Sequence, residues 1–343
     1  MSSLTETQNS KKVSEFFTKY AIYIVLVVLI AGIAVYDPRF LSVDILRDIL
    51  LQSSTRVIIA LGIAFVLITG GTDLSAGRIV GITAVISASM LQMPDYARKF
   101  FPNLPELPLI VPILIAIAVG LLFGLINGII VAKFNVPPFI ATLGSMVAVY
   151  GANSLYFDMK PNQSQPIGGL RKDFGHLGTG YIGPNSTYSI PYIVIIAVVV
   201  AIIVWVVFNK TKLGKYMYAI GGNIHAATVS GINVSRYLIY LYAIAGALYG
   251  LAGVLEAART GGATNNYGNM YELDAIAACV VGGVSTSGGI GTVPGVLVGV
   301  LIFSVINYGL TFIGISPYWQ LIVKGLIIVI AVAFDMRKYM NSK

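Results

Sequence analysis

Charge is scarce in this sequence. Among 343 residues there are 22 Lys and Arg and 14 Asp and Glu, 10% of the chain, against roughly 25% in ordinary globular proteins. So few ionisable groups cannot cover the surface of a 36.5 kDa chain in water, which excludes a soluble globular protein. Cysteine is nearly missing: Cys279 stands alone in an apolar stretch, so a disulfide scaffold is excluded. His176 and His225 are the only histidines, too few for a His-rich metal site. There is no GxxxxGK[ST] phosphate loop, and the Gly-rich run 282–291 lacks a Lys. No nucleophile–base set can be assembled. The sequence therefore predicts no catalytic residues, no metal and no cofactor, and any ATP-driven step belongs to another subunit.

Apolar residues are what the chain has in abundance. They make up 57% of it, and the mean hydropathy is +0.84. This is the composition of an integral membrane protein, and it excludes disorder. The net charge of +8 reflects cations gathered on the cytoplasmic side of a membrane. No basic patch interleaved with aromatics points to nucleic acid.

A membrane helix needs about 20 mostly apolar residues. Clear spans are 20–36, 109–132, 139–157, 190–208, 237–257, 293–313 and 317–334, and 45–69, 79–93 and 273–284 are less clean, with Gly at their edges. The first run exceeds the apolar core of about 7–15 residues typical of a signal peptide, and Gly32-Ile33-Ala34 is a poor cleavage signal, so it reads as a retained span. The expectation is an all-α polytopic membrane protein with about ten transmembrane helices, some of them broken. A tail over 1–19 and another over 336–343 flank the membrane domain 20–335, with both termini in the cytoplasm. On that count twelve cations and four acids fall inside, and eight cations and ten acids outside, as the positive-inside rule requires.

Two loops stand out. The outer loop 158–189 is rich in Gly, Pro and Asn, and loops longer than about 12–15 residues are usually functional or disordered. The inner loop 209–236 carries four cations and no acid. Within it, Ile224–Ser230 is expected to form a short amphipathic helix, lying in the membrane interface or docking a cytoplasmic partner.

The pattern GG-x3-S-x-G occurs twice, as Gly70, Gly71, Ser75, Gly77 and as Gly282, Gly283, Ser287, Gly289. Gly clusters break helices, and in lipid each freed backbone group needs a partner. Matching breaks in two halves point to a transport pathway, although close helix packing through small residues is the plainer explanation. The span count puts both copies on the inner side. Polar residues at membrane depth are functional candidates: Asn127, Asn153, Asn307, Arg56 and Lys324 within spans, and Asp73, Arg78, Glu256, Arg259, Asn265, Asn266 and Asp274 near their ends. Interhelical hydrogen bonds, and ion pairs such as Asp73 with Arg78, account for them structurally. As a set dominated by Asn, they suit a neutral polar solute.

The stretches ITGGTDLSAGRIVG (68–81), PPFIATLG (137–144), YAIGGNIHAATVSGINV (218–234), GGATNNYGNMYELDAIAACVVGGVSTSGGIGTVPG (261–295) and INYGLTFIGISPYWQLIVKGLIIVIAVAFD (306–335) resemble the permease subunits of bacterial ABC importers for monosaccharides. The resemblance implies a pore-forming subunit of the bacterial inner membrane that carries galactose, a methyl galactoside or glucose. It implies a homodimer embedded in membrane lipid, an ATP-binding partner inside and an extracytoplasmic sugar-binding protein. It also places the ATPase-coupling region at His225, Ala226, Ala227 and Gly231. His225 stands where many such permeases carry an acid, so the small-residue helix surface carries over and a salt bridge there does not. Asn127, Asn153, Asn265, Asn266 and Asn307 are the expected translocation path. The rival reading is a stand-alone secondary transporter of a small polar solute, driven by an ion gradient.

Overall fold

The computed structural model describes residues 23–183 and 189–340. The expected tail 1–19, residues 20–22 of the first span, 184–188 of the long loop and 341–343 of the second tail lie outside the described residues. The helices are α1 (Tyr23–Tyr36), α2 (Val43–Leu67), α3 (Ala76–Met90), α4 (Ile110–Lys133), α5 (Pro138–Phe157), α6 (Lys172–Thr179), α7 (Tyr192–Lys210), α8 (Lys212–Gly222), α9 (Ile224–Val229), α10 (Val234–Thr260), α11 (Tyr271–Val281), α12 (Val293–Phe312) and α13 (Pro317–Met340). Each expected span falls on one of them. Among the described residues, α2, α4, α7, α10 and α12 are long and apolar enough to cross a membrane, and α1, α3 and the first part of α13 are shorter apolar helices. The chain is a polytopic all-α membrane protein. Its only sheet among the described residues is the hairpin of β1 (Tyr181–Ile182) and β2 (Ile190–Pro191).

Lipid offers backbone groups no partner, so each apolar run closes its own hydrogen bonds as a helix. Where a helix starts, a side chain satisfies a free N–H: Ser42 caps α2, Thr211 α8, Asn223 α9, Asn233 α10 and Thr292 α12. The second half of α2, from Val57 to Leu67, is apolar on all sides and becomes the centre of the molecule; Ile58–Ile68 is almost wholly buried, and α2 packs against α7, α10, α11 and α12. Helices α4 and α10 form the tightest pair. Gly120, Gly124 and Gly128 of α4 lie against Gly246, Gly250 and the backbone around Ile239 and Tyr242, where a Cβ would overlap backbone atoms of the facing helix. Small residues at i, i+4 let the two backbones meet.

The loops gather at two ends. At one end, here the near end, Ser235 Oγ donates to Ala132 O at 3.0 Å and Tyr218 OH to Gly291 O at 2.8 Å. At the far end, Ile167 and Ala263 exchange backbone hydrogen bonds of 2.9 Å, and Arg171 N donates to Leu91 O. The loop 158–189 is thus zipped to the loops before α4 and after α10, and it contains a helix and a strand of its own. Helix α13 runs on to Met340, beyond the expected boundary at 335, and α8 is a helix that hydropathy did not mark.

Candidate functional site

The two glycine-rich breaks meet at the near end. Helix α2 ends at Leu67, and Gly70 turns the chain at φ 79°. Helix α11 ends at Val281, and Gly283 turns it at φ 85°, a backbone region open to Gly at little cost. Gly289 N then donates to Ile68 O at 2.8 Å. The two copies lie side by side at one end, as the span count requires. They are not equivalent beyond the turn: after Gly71 the chain re-enters a helix at Ala76, whereas after Gly283 it loops to Thr292. Ser75 lies at the start of α3 and Ser287 within the loop.

Helix α8 closes this junction. Gly221 faces Ile68 O and Gly289 N so closely that a Cβ has no room, and the Tyr218 hydroxyl holds Gly291 O. Helix α9 follows directly. His225 and Ala226 are exposed, as are Ile224 and Val229, the latter at 90%. Ala227 is 4% exposed and faces inward. Gly231, at φ 82°, ends the turn with no heavy atom near its missing Cβ. The expected amphipathic helix is therefore present over Ile224–Val229, with His225 and Ala226 on its open face and Ala227 in the fold.

Behind the first break, Asp73 is fully buried. Its Oδ1 accepts from Ser75 N at 2.9 Å and from Ser75 Oγ at 2.6 Å, and Asn127 Nδ2 donates to that Oγ at 2.8 Å. Thr142 Oγ1 accepts from Leu74 N and donates to Pro138 O. Thr142 of α5 and Asp73 itself thus satisfy the backbone that the break frees, and Asn127 of α4 holds the Ser75 hydroxyl. The expected Asp73–Arg78 pair does not form. Helix α3 begins between them, and Arg78 donates to Asn269 Oδ1 at 2.7 Å and lies over the Tyr150 ring.

From the far end, the loop after α10 dips to meet α3. Gly77 and Gly81 lie against the backbone of Gly268 and Tyr267, with no room for a Cβ. Asn153 Nδ2 donates to Asn265 O at 3.2 Å, Asn265 Nδ2 reaches Ser154 Oγ at 3.4 Å, and Asn266 is exposed. Asn307 is elsewhere, on α12. The five Asn side chains occupy three separate places, so the structure does not bring them together as one lining.

The charges at membrane depth do form a group. Lys324 Nζ lies 3.0 Å from Asp274 Oδ2 and Arg56 Nη1 3.9 Å from the same oxygen. Arg259 pairs with Glu256 at 2.8 Å, Thr55 and Tyr271 donate to Glu256, and Arg56 stacks over Tyr271. Buried ions in a membrane are paired. Their clustering was not evident from the sequence, although an Arg and a Lys inside two apolar spans were a signal that acids must face them.

Residues 45–332 match the family described as branched-chain amino acid transport system / permease component. The chain is 53% identical over 335 residues to the galactose/methyl galactoside import permease protein MglC of Escherichia coli (strain K12), covering 98% of this chain and 99% of that one. It is 52% identical over 323 residues to MglC of Haemophilus influenzae, covering 94% and 95%. It is 39% identical over 315 residues to the ribose import permease protein RbsC of Bacillus subtilis, covering 91% of each. No solved structure matches the chain.

Proposed function

We propose that this chain, which belongs to the branched-chain amino acid transport system / permease component family, forms the membrane pathway of an ATP-driven importer for a monosaccharide of the galactose type. The observation that carries this reading is the end-to-end likeness to a galactose/methyl galactoside import permease. The chain has no catalytic role. Two copies form the pore in the bacterial inner membrane. A separate ATP-binding subunit docks on α9, through Ile224, His225, Ala226 and Val229, and a sugar-binding protein delivers solute at the far end. Both termini and the near end face the cytoplasm, on the strength of the charge bias.

The geometry supplies a linkage for such a machine. A force on α9 reaches α8 through Asn223, and α8 grips both helix breaks through Gly221 and Tyr218. Movement of one short helix would thereby displace the near ends of α2 and α12 together. The test is reconstitution in proteoliposomes. The chain with its ATPase and binding protein should accumulate D-galactose only with ATP. Accumulation by the chain alone under a proton or sodium gradient would overturn the reading.

A further inference from the structure

We infer that the cavity between α2, α11, α12 and α13 is a holding site for a hexose in transit. This rests on the proposed function and adds a place to it. The cavity measures about 450 Å³, within the range of about 300–1,000 Å³ usual for small-molecule sites. Gln52, Arg56, Asp274, Asn307, Gln320 and Lys324 line it. At 1.5 Å per residue, Arg56 lies about 20 Å along α2 from its start, and Lys324 about 10 Å along α13. Such a polar wall at membrane depth cannot face lipid tails without large cost. The space is a polar compartment of the pathway.

The chemistry of the wall selects the solute. Lys324 and Arg56 share the Asp274 carboxylate, and Arg259 is held by Glu256, so each of the three cations has one of two carboxylates as its ion-pair partner. What is left over is a donor and an acceptor. Arg56 Nη1 and Asn307 Oδ1 are buried without a hydrogen-bond partner among the described residues. A hydroxyl both donates and accepts, and a polyhydroxylated ring offers several in fixed positions. Tyr308 and Phe312, also in the wall, supply apolar faces for ring C–H groups. Toward α11 a second cavity of about 20 Å³, which shares Arg56, Asp274, Ser304 and Asn307 with the first, is closed in by Ala275, Ala278, Val300 and Phe303 and is too small for a hexose. A sugar entering here stops until α11 and α12 part.

The test is equilibrium binding of radiolabelled D-galactose to the chain in lipid nanodiscs, with its ATPase but without the binding protein or ATP. Saturable binding is expected, displaced by unlabelled D-galactose. Asn307→Leu should weaken it about five- to tenfold, the value of one hydrogen bond, with an unchanged size-exclusion profile. If N307L does not assemble, Gln52→Leu at the exposed rim carries the same expectation. Absence of saturable binding to the wild-type chain, or unchanged affinity in the variants, would overturn the inference while the complete importer still takes up D-galactose. Failure of the complete wild-type importer to take up D-galactose would instead remove the proposed function, and this inference with it.

Discussion

Gly289 donates its backbone N–H to the carbonyl of Ile68 at 2.8 Å, a hydrogen bond across 221 residues of sequence that ties the loop after the second helix break to the turn of the first. Gly221 sits on this bond with no space for a side chain. Gly221→Leu must therefore push the two breaks apart. We expect uptake to fall more than tenfold while the ATPase subunit still co-purifies with the chain. Tyr218→Phe removes only the hydrogen bond to Gly291, about 1 kcal/mol, and should lower uptake less than G221L does.

The inward face and the open face of α9 separate two effects. Ala227→Leu forces volume into a buried position, where overpacking costs typically about 1–3 kcal/mol, and should lower the melting temperature of the purified chain. Ala226→Trp changes an exposed position and should leave the melting temperature in place while weakening capture of the ATPase subunit. Equal melting temperatures with equal capture would remove α9 as the docking element.

The orientation can be read with thiol chemistry, because the single native thiol is out of reach. Cys279 is fully buried and donates to Ala60 O. Val229→Cys, at 90% exposure, in a chain produced without its ATPase subunit, should react with a membrane-impermeant maleimide in inside-out vesicles and not in intact cells with a permeabilised outer envelope. Met159→Cys, at 49% exposure, should show the reverse. Swapped labelling would invert the proposed topology.

Much of the fold was legible because lipid leaves the backbone no choice: the apolar runs 109–132 and 190–208 become α4 and α7 within two residues at each end. Helix α8 was not legible, since Lys212–Gly222 mixes cations, aromatics and a Gly pair and is held by contacts with distant loops. The Gly repeat was visible, but that its copies touch was not, because an offset of 212 residues says nothing about distance. Asp73 and Arg78 looked like partners from their spacing. The helix start between them turns Arg78 to the dipping loop and leaves Asp73 to secure the break, so the candidate site's polar residues could be picked out but not paired.

Packing of α4 on α10 predicts a sharp contrast between glycines. Gly124→Leu places a side chain into the backbone of Gly246 and should abolish recovery of folded chain from detergent extracts. Gly144→Leu on α5, where nothing lies within 4 Å of the missing Cβ, should be recovered at the wild-type level.

The far-end loops carry a pH dependence. The Arg171 guanidinium, hydrogen-bonded to Asp173, holds its carboxyl below the usual carboxylate range. A carboxyl that ionises more easily in the folded loop adds stability above about pH 4, the ordinary Asp value, and that stability is lost as the pH falls through the lowered value. Amide exchange at 167–174 should therefore quicken below pH 4 relative to buried amides of α2. In Asp173→Asn this acid-dependent rise should shrink.

Where α4 meets α10, glycine backbones touch with no side chains between them to re-pack or slide. Such a seam has no slack, so the two helices behave as one beam. Any cycle that opens one face of the membrane and then the other must swing this beam whole and take up the strain in the joints around α2 and α11.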